Sequence, residues 1–258
     1  MNVFIYDGTF DGLLCAVFES YERKLIPEKV VSALVLNHGL FDTEITITSD
    51  PTKAARVWKS LQNKLTAGNR QLPYQAFLYG KEEIDQAVFN FVRLVFDTPH
   101  PIDHDYANPF VLKIKQTQRI VSKEAMRMLQ FVRFQKTADD IYFAAVSPEF
   151  DVLPMAVQHF LNRYKDQQWI IYDLKRDYGM YYDLKEVTEI TLNTKEFSLL
   201  TGELNENIME EGEASYQGLW QQYVKATTIR ERLNPKLQLQ HMPRRYWKYL
   251  PEMKNKKP

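Results

Sequence analysis

Residues 150–183, FDVLPMAVQHFLNRYKDQQWIIYDLKRDYGMYYD, decide how this chain is built. Pro154 belongs in the first turn of a helix, where its missing amide would have no partner anyway, and the apolar spacing carries that helix to Tyr164. Residues 169–172 and 180–182 are aromatic and β-branched runs around a turn of Leu174, Lys175, Arg176, Asp177, Tyr178 and Gly179, which reads as a hairpin. Working backwards, 131–134 and 141–146 are another pair of β-prone runs around the polar residues 137–140, and Pro148 closes it. The order is ββαββ, with a further strand open at 187–192. Hairpins grouped around one helix, rather than a regular β-α alternation, place the chain in the α+β class.

Towards the N-terminus, residues 2–6 read as a short buried strand, Asp7-Gly8-Thr9 as a turn, and residues 10–24 as an amphipathic helix with Leu13, Leu14, Val17, Phe18 and Tyr21 on one face. Residues 26–42 fit no single pattern. Residues 44–48 alternate and are β-branched, which predicts a half-buried strand, and Asp50-Pro51 supplies an N-cap and a first-turn proline for a helix to about Leu65. This is an N-terminal β-α-β-α unit. Central helices follow, with a break near Gly80, a stop at Thr98-Pro99-His100-Pro101, and a long helix from Asn108-Pro109 with Val111, Leu112, Ile114, Ile120, Met126 and Leu129 as its apolar stripe. The expectation is one α+β domain, 1–258, with 215–258 as a helical and basic C-terminal extension that frays from Met253.

The 33 basic and 33 acidic side chains cancel, but they are not evenly mixed. From Lys113 to Lys136 the single acid, Glu124, stands among seven cations, and from Lys225 onwards ten cations face only Glu231 and Glu252. Glu203, Glu206, Glu210, Glu211 and Glu213 form the compensating acidic block. Local positive potential of this kind is what phosphate binding needs, although a charged stripe on a helix is also an ordinary solvated face. With no secretory leader in view and no apolar run near the ~20 residues that span a bilayer, a cytoplasmic location is expected. Cys15, the sole cysteine, excludes an intrachain disulfide and thiolate-rich metal clusters, and reads as a small core residue.

Phosphate-binding nucleotide motifs are absent: there is neither Walker spacing nor a glycine-rich dinucleotide turn, and the aspartates of Asp7-Gly8-Thr9-Phe10-Asp11-Gly12 would repel phosphate. The five histidines, His38, His100, His104, His159 and His241, contain no i, i+4 pair. His100, Asp103, His104 and Asp105 are the one dense group, in a proline-flanked loop where polar residues are usual. No serine sits in a nucleophile elbow. Neither a metal nor a cofactor is expected.

Two clusters of cations and aromatics remain. In the hairpin turn, Arg176 offers bidentate contacts to phosphate, Tyr178 and Tyr181 offer stacking faces, and Gly179 lets a backbone approach closely, with His159 and Arg163 supporting them from the preceding helix. The same composition equally makes an ordinary exposed turn. Arg244, Arg245, Tyr246 and Trp247 form the second cluster, suited to phosphate and base contacts, to docking on a protein, or to packing as an arm on its own domain.

The segments YDGTFDGLLCAVFESY at 6–21, residues 150–183 and ERLNPKLQLQHMPRRYWKYLPE at 231–252 resemble successive signatures of a bacterial family of DNA-metabolism proteins of unknown function. The resemblance spans nearly the whole chain. Members of that family are similar to the domain fused ahead of uracil-DNA-glycosylase-like domains, and are encoded beside a DNA-modification or repair radical-SAM protein. The resemblance implies DNA metabolism and a radical-SAM partner, and transfers no catalytic residues. A glycosylase-like domain, and with it base excision, is not expected of this chain, and its one cysteine cannot supply the three-cysteine cluster motif of a radical-SAM enzyme. The resulting expectation is an accessory protein of DNA modification or repair that binds nucleic acid, the radical-SAM partner, or both. The competing readings are an enzyme acting on a base or nucleoside, with His159, Asp173 or Asp177 as acid–base groups, and a protein-only adaptor.

Overall fold

The computed structural model describes residues 1–34 and 43–253 of the chain, which has an α+β fold. His38 lies outside the described residues. The chain divides into two compact units, Met1–Ser122 and Lys123–Pro258. The helix α5, Pro109–Phe131, runs through the boundary.

In the first unit, β1 (Asn2–Tyr6), β2 (Lys29–Ser32) and β3 (Thr43–Thr46) form a parallel sheet in the order β2-β1-β3. β2 lies in the stretch that had no clear pattern. Its four residues are too few for periodicity to register, and pairing with buried β1 specifies it instead. Around the sheet are α1 (Phe10–Glu22), α2 (Pro51–Lys64), α3 (Leu72–Phe77) and α4 (Glu82–Asp97). Gly80, at φ +65°, makes the break between α3 and α4 in a conformation that glycine adopts without a Cβ penalty.

The Asp7-Gly8-Thr9 turn is structural. Asp7 accepts the Thr9 amide (2.9 Å) and hydroxyl (2.7 Å), while the Thr9 hydroxyl oxygen caps α1 by accepting the Gly12 amide at 3.0 Å. Thr9→Ala removes that cap and is expected to lower stability by about 1 kcal/mol, measurable as an earlier urea midpoint at unchanged slope. Cys15 is fully buried, and its Sγ lies 3.3 Å from the Asp50 amide and 3.4 Å from the Asp50 carbonyl oxygen. Burial pushes its thiol pKa up, as an inert core cysteine requires.

The predicted stripe of α5 is partly wrong. Val111 and Ile114 are buried, together with Val121, Ala125 and Met128, but Leu112, Ile120 and Met126 are exposed. The buried set follows the 3.6-residue period, and the extra aliphatics are surface residues of the kind every protein carries. α5 also continues through Phe131, so no strand exists at 131–134.

The second unit contains a five-stranded sheet: β4 (Gln135–Lys136), β5 (Tyr142–Val146), β6 (Trp169–Asp173), β7 (Tyr178–Tyr182) and β8 (Val187–Ile190), ordered β4-β5-β6-β7-β8. β5 and β6 are parallel and the other neighbours antiparallel, because α6 (Leu153–Arg163) forms the crossover between them. The ββαββ order is therefore present, with the first strand displaced to 135–136. Trp169, Tyr172 and Tyr182 are buried in the sheet. α7 (Glu213–Thr227), α8 (Pro235–His241) and 3₁₀ turns at Arg230–Arg232, Arg244–Tyr249 and Pro251–Met253 complete the unit. Met253, expected to fray, is buried with Phe131, Tyr246 and Leu250. Among the described residues, no helix is long and apolar enough to cross a membrane.

Candidate nucleic-acid interface

The β6–β7 turn is braced by its own side chains. Asp173, fully buried, accepts the amides of Lys175 (2.8 Å) and Arg176 (3.3 Å) and pairs with the Arg176 guanidinium at 2.7 Å. Arg176 also donates to the carbonyls of Pro148 (3.3 Å) and Glu149 (3.0 Å), which fastens the loop after β5 to the turn after β6. Asp177 adopts a left-handed φ of 59°, accepts from the Tyr172 hydroxyl at 2.8 Å and pairs with Lys195 at 2.5 Å. The Lys195 and Tyr172 bonds hold its carboxyl below the usual range. Asp173 and Asp177 are thus occupied in holding the turn.

Tyr178 and Gly179 belong to β7, beyond the turn. The Tyr178 hydroxyl donates to Asp151. Burial pushes up both pKa values, Tyr178 further by the Asp151 charge, and Asp151 despite the Tyr178 bond. Gly179 uses its smallness inwards: a Cβ there would lie 2.7 Å from Tyr172 Cδ2 and 2.9 Å from the Ile171 carbonyl oxygen. Tyr181, half-buried, donates to Gln168 at 3.1 Å. His159 and Arg163 are exposed on α6, His159 edge-on to Phe160 and Arg163 over Tyr164, with 5.8 Å from the guanidinium to the ring centre.

The second cluster divides by burial. Tyr246 is buried with its ring 5.3 Å from Phe131, and Trp247 donates to the Met242 carbonyl at 3.0 Å, so both aromatics pack the 3₁₀ turn onto its own unit. Arg245 is anchored by Glu124 at 2.5 Å. Glu124, 1% exposed, also accepts the Glu149 amide at 2.9 Å and pairs with Arg127 at 3.2 Å. Burial works to raise the Glu124 pKa, but the Glu149 amide and the Arg245 guanidinium hold the carboxyl below the usual range.

These contacts set Lys175 of the β6–β7 turn beside Arg244, Arg245 and Lys248, whereas Arg176, Tyr178, Gly179, Tyr181, His159, Arg163, Tyr246 and Trp247 do not line the same groove. Ser147, Pro148 and Glu149 follow the carboxyl end of β5, Lys175 follows that of β6, and with Arg244, Arg245 and Lys248 they line a groove of about 480 Å³. The ends of adjacent parallel strands are a frequent ligand position, because the chain diverges there and leaves a crevice. Lys175 donates to the Glu149 carbonyl at 3.0 Å. Among the described residues, Arg244 and Lys248 have no carboxylate partner, and Lys248 sits 4.7 Å from the Tyr249 ring centre. Arg245 is matched by Glu124 and by the wall carboxylate of Glu149 at 3.8 Å, so the surplus positive charge that phosphates seek rests on Lys175, Arg244 and Lys248.

Arg176 does not line this groove but holds its floor, a positioning task that composition alone does not disclose. Lys175 and Lys248 were visible in the two clusters yet less conspicuous than their arginine and aromatic neighbours. Glu124 carried a sequence signal, since it is the lone acid in a run of cations, and its burial explains why an acid stands there. The His100–Asp105 loop is a staple: buried Asp103 accepts from the Thr66 hydroxyl and the Asn69 amide nitrogen, each at 2.5 Å. Burial raises the Asp103 pKa less than those bonds lower it. No group of three metal-binding side chains occurs among the described residues.

Comparison with curated proteins finds no match. Among solved structures, a pGpG-specific phosphodiesterase, PggH from Vibrio cholerae, is 9% identical over 88% of this chain and 99% of that one, at a TM-score of 0.29. A likeness of that size carries no argument. Residues 82–252 match the model of DUF4130, a domain of unknown function, and this span includes every residue of the basic groove. The chain belongs to the DUF4130 family.

Proposed function

We propose that the chain is an accessory protein of DNA modification or repair that holds nucleic-acid phosphates in the groove of Lys175, Arg244, Arg245 and Lys248. One observation carries this reading: cations about seventy residues apart in sequence converge on one crevice, and three of the four, Lys175, Arg244 and Lys248, have no carboxylate partner among the described residues. Arginine forks and mobile lysines suit phosphate. The resemblance of the sequence signatures supports DNA as the source of those phosphates and a radical-SAM protein as the partner. A protein-binding role draws on a separate feature, the exposed apolar side chains Leu219, Tyr223, Leu233 and Leu237 of the C-terminal extension.

Titrating the full chain with single- and double-stranded oligonucleotides over a range of salt tests the first reading. Phosphate contacts give a logarithm of affinity that falls linearly with the logarithm of salt concentration. Absent binding, or binding indifferent to salt, would refute it and leave the protein-binding role.

A further inference from the structure

We propose that the second unit also carries a nucleotide pocket, near the amino end of β5 and separate from the basic groove, which takes the base and phosphate of a single nucleotide. The space is about 810 Å³, within the range of about 300–1,000 Å³ typical of small-molecule sites. Phe134, Tyr142 and Tyr164 form one wall, Trp220 and Tyr216 of α7 belong to another part of the lining, and Arg163 and Gln167 supply polar groups.

The wall is a fixed aromatic frame. Phe134 meets Tyr164, Phe160 and Tyr142 edge-on, at ring-centre separations of 5.4, 5.9 and 6.5 Å. All three wall residues are half-buried, so ring surface is already ordered and still reaches solvent. Trp220 is similarly held, donating to Glu252 at 2.9 Å, stacked on Tyr223 at 5.7 Å between ring centres and with the Arg133 guanidinium 5.5 Å from its own, and it remains 38% exposed. Ordered, solvent-facing rings lose little entropy on stacking a planar heterocycle.

The polar groups point to the same ligand class. Among the described residues, the side chains of Arg163, Gln167, Tyr142 and Tyr164 make no hydrogen bond or ion pair. A free guanidinium suits phosphate, and a free amide with two hydroxyls suits the donor and acceptor pattern of a base edge. Two carboxylates share the lining with the cations Arg133, Lys136 and Arg163: Glu213 is committed elsewhere, accepting the Lys136 amide (3.1 Å) and the Gln217 amide nitrogen (3.0 Å), while the buried Oε2 of Glu210 has no hydrogen-bond partner and is open to a donor of the base edge. The ligand is a nucleoside monophosphate, whether free or as an unstacked residue of a single strand.

Calorimetric titration of the full chain with each of the four deoxynucleoside monophosphates, and with a single-stranded octanucleotide, tests this. At least one ligand is expected to bind and to change Trp220 fluorescence, a signal absent from Trp220→Phe. Arg163→Glu, on an exposed side chain whose replacement leaves the aromatic frame in place, should weaken that ligand by about tenfold or more, the scale of a lost charge-assisted contact. Gln167→Ala should weaken it as well. Lys165→Glu, an exposed charge outside the pocket lining, should leave it within about twofold. Response of a monophosphate identifies a free nucleotide as ligand; response of the octanucleotide alone identifies a strand. The proposal is overturned if no ligand binds, or if the bound ligand is indifferent to Arg163→Glu and Gln167→Ala. Arg244→Ala/Lys248→Ala should not alter monophosphate binding, so failure here is distinguishable from failure of the groove.

Discussion

Arg244→Ala/Lys248→Ala should reduce DNA affinity by about ten- to a hundredfold at ~50 mM salt and flatten the salt dependence. Each phosphate contact contributes about 0.9 to the slope of log affinity against log salt on duplex DNA and about 0.7 on a single strand, so two lost contacts remove about 1.8 or 1.4. Both side chains lie in the groove without a carboxylate partner among the described residues, so their removal breaks no ion pair there and should leave the melting temperature nearly unchanged. Lys185→Ala is the matched control: it removes an exposed cation from the β7–β8 turn, at the other end of the sheet from the β6–β7 turn. An unchanged slope in the double variant, or an equal change in the control, would exclude the groove as the phosphate site.

The second large effect concerns stability. Glu124→Ala strips the close partner from Arg245, which keeps only the Glu149 carboxylate at 3.8 Å, and at once removes the acceptor of the Glu149 amide and the partner of Arg127. Removing one member of a buried pair costs about 3–5 kcal/mol because the survivor stays desolvated. Arg245 is about a third exposed and recovers some hydration, which puts the expected loss near the lower end, about 3 kcal/mol, or roughly 10 °C in melting temperature. Glu124→Gln can keep an acceptor for the Glu149 amide and should fall between variant and wild type. The pH dependence has a definite sign. The folded Glu124 pKa lies below its unfolded value of about 4.3, so its contribution is complete above that value and disappears as pH falls through the folded one. Wild type and Glu124→Ala should therefore converge in acid and separate fully by neutral pH.

The legible parts of the fold were those whose signals are local. Asp50-Pro51 and Asn108-Pro109 announce helix starts through caps and a fixed φ, and Gly80 announces a break. The signals that failed concern tertiary partners. Leu112, Ile120 and Met126 look like core residues until the neighbours of α5 select Val121, Ala125 and Met128 instead. Phe131 looks like a strand residue until Tyr246, more than a hundred positions away, packs against it.

The same distinction runs through the groove. The KRDYG and PRRYWKY segments were conspicuous by composition, but nothing local says that Arg176 is committed to the Pro148 and Glu149 carbonyls while Arg244 has no carboxylate partner. Nor does composition separate Trp220, at a ligand-sized cavity, from Trp169, sealed inside the sheet. Both are tryptophans near cations, and only burial tells them apart.

The bracing of the Pro148–Glu149 loop makes the groove a property of the folded unit. Glu124 holds its amide, Arg176 and Lys175 hold its carbonyls, and the Arg245 that shares Glu124 comes from the far end of the chain. A peptide containing residues 231–252 has the charge without the crevice. A polyanion seated there binds the native state in preference to the unfolded one, and by mass action it shifts the folding equilibrium towards the native unit as its concentration rises.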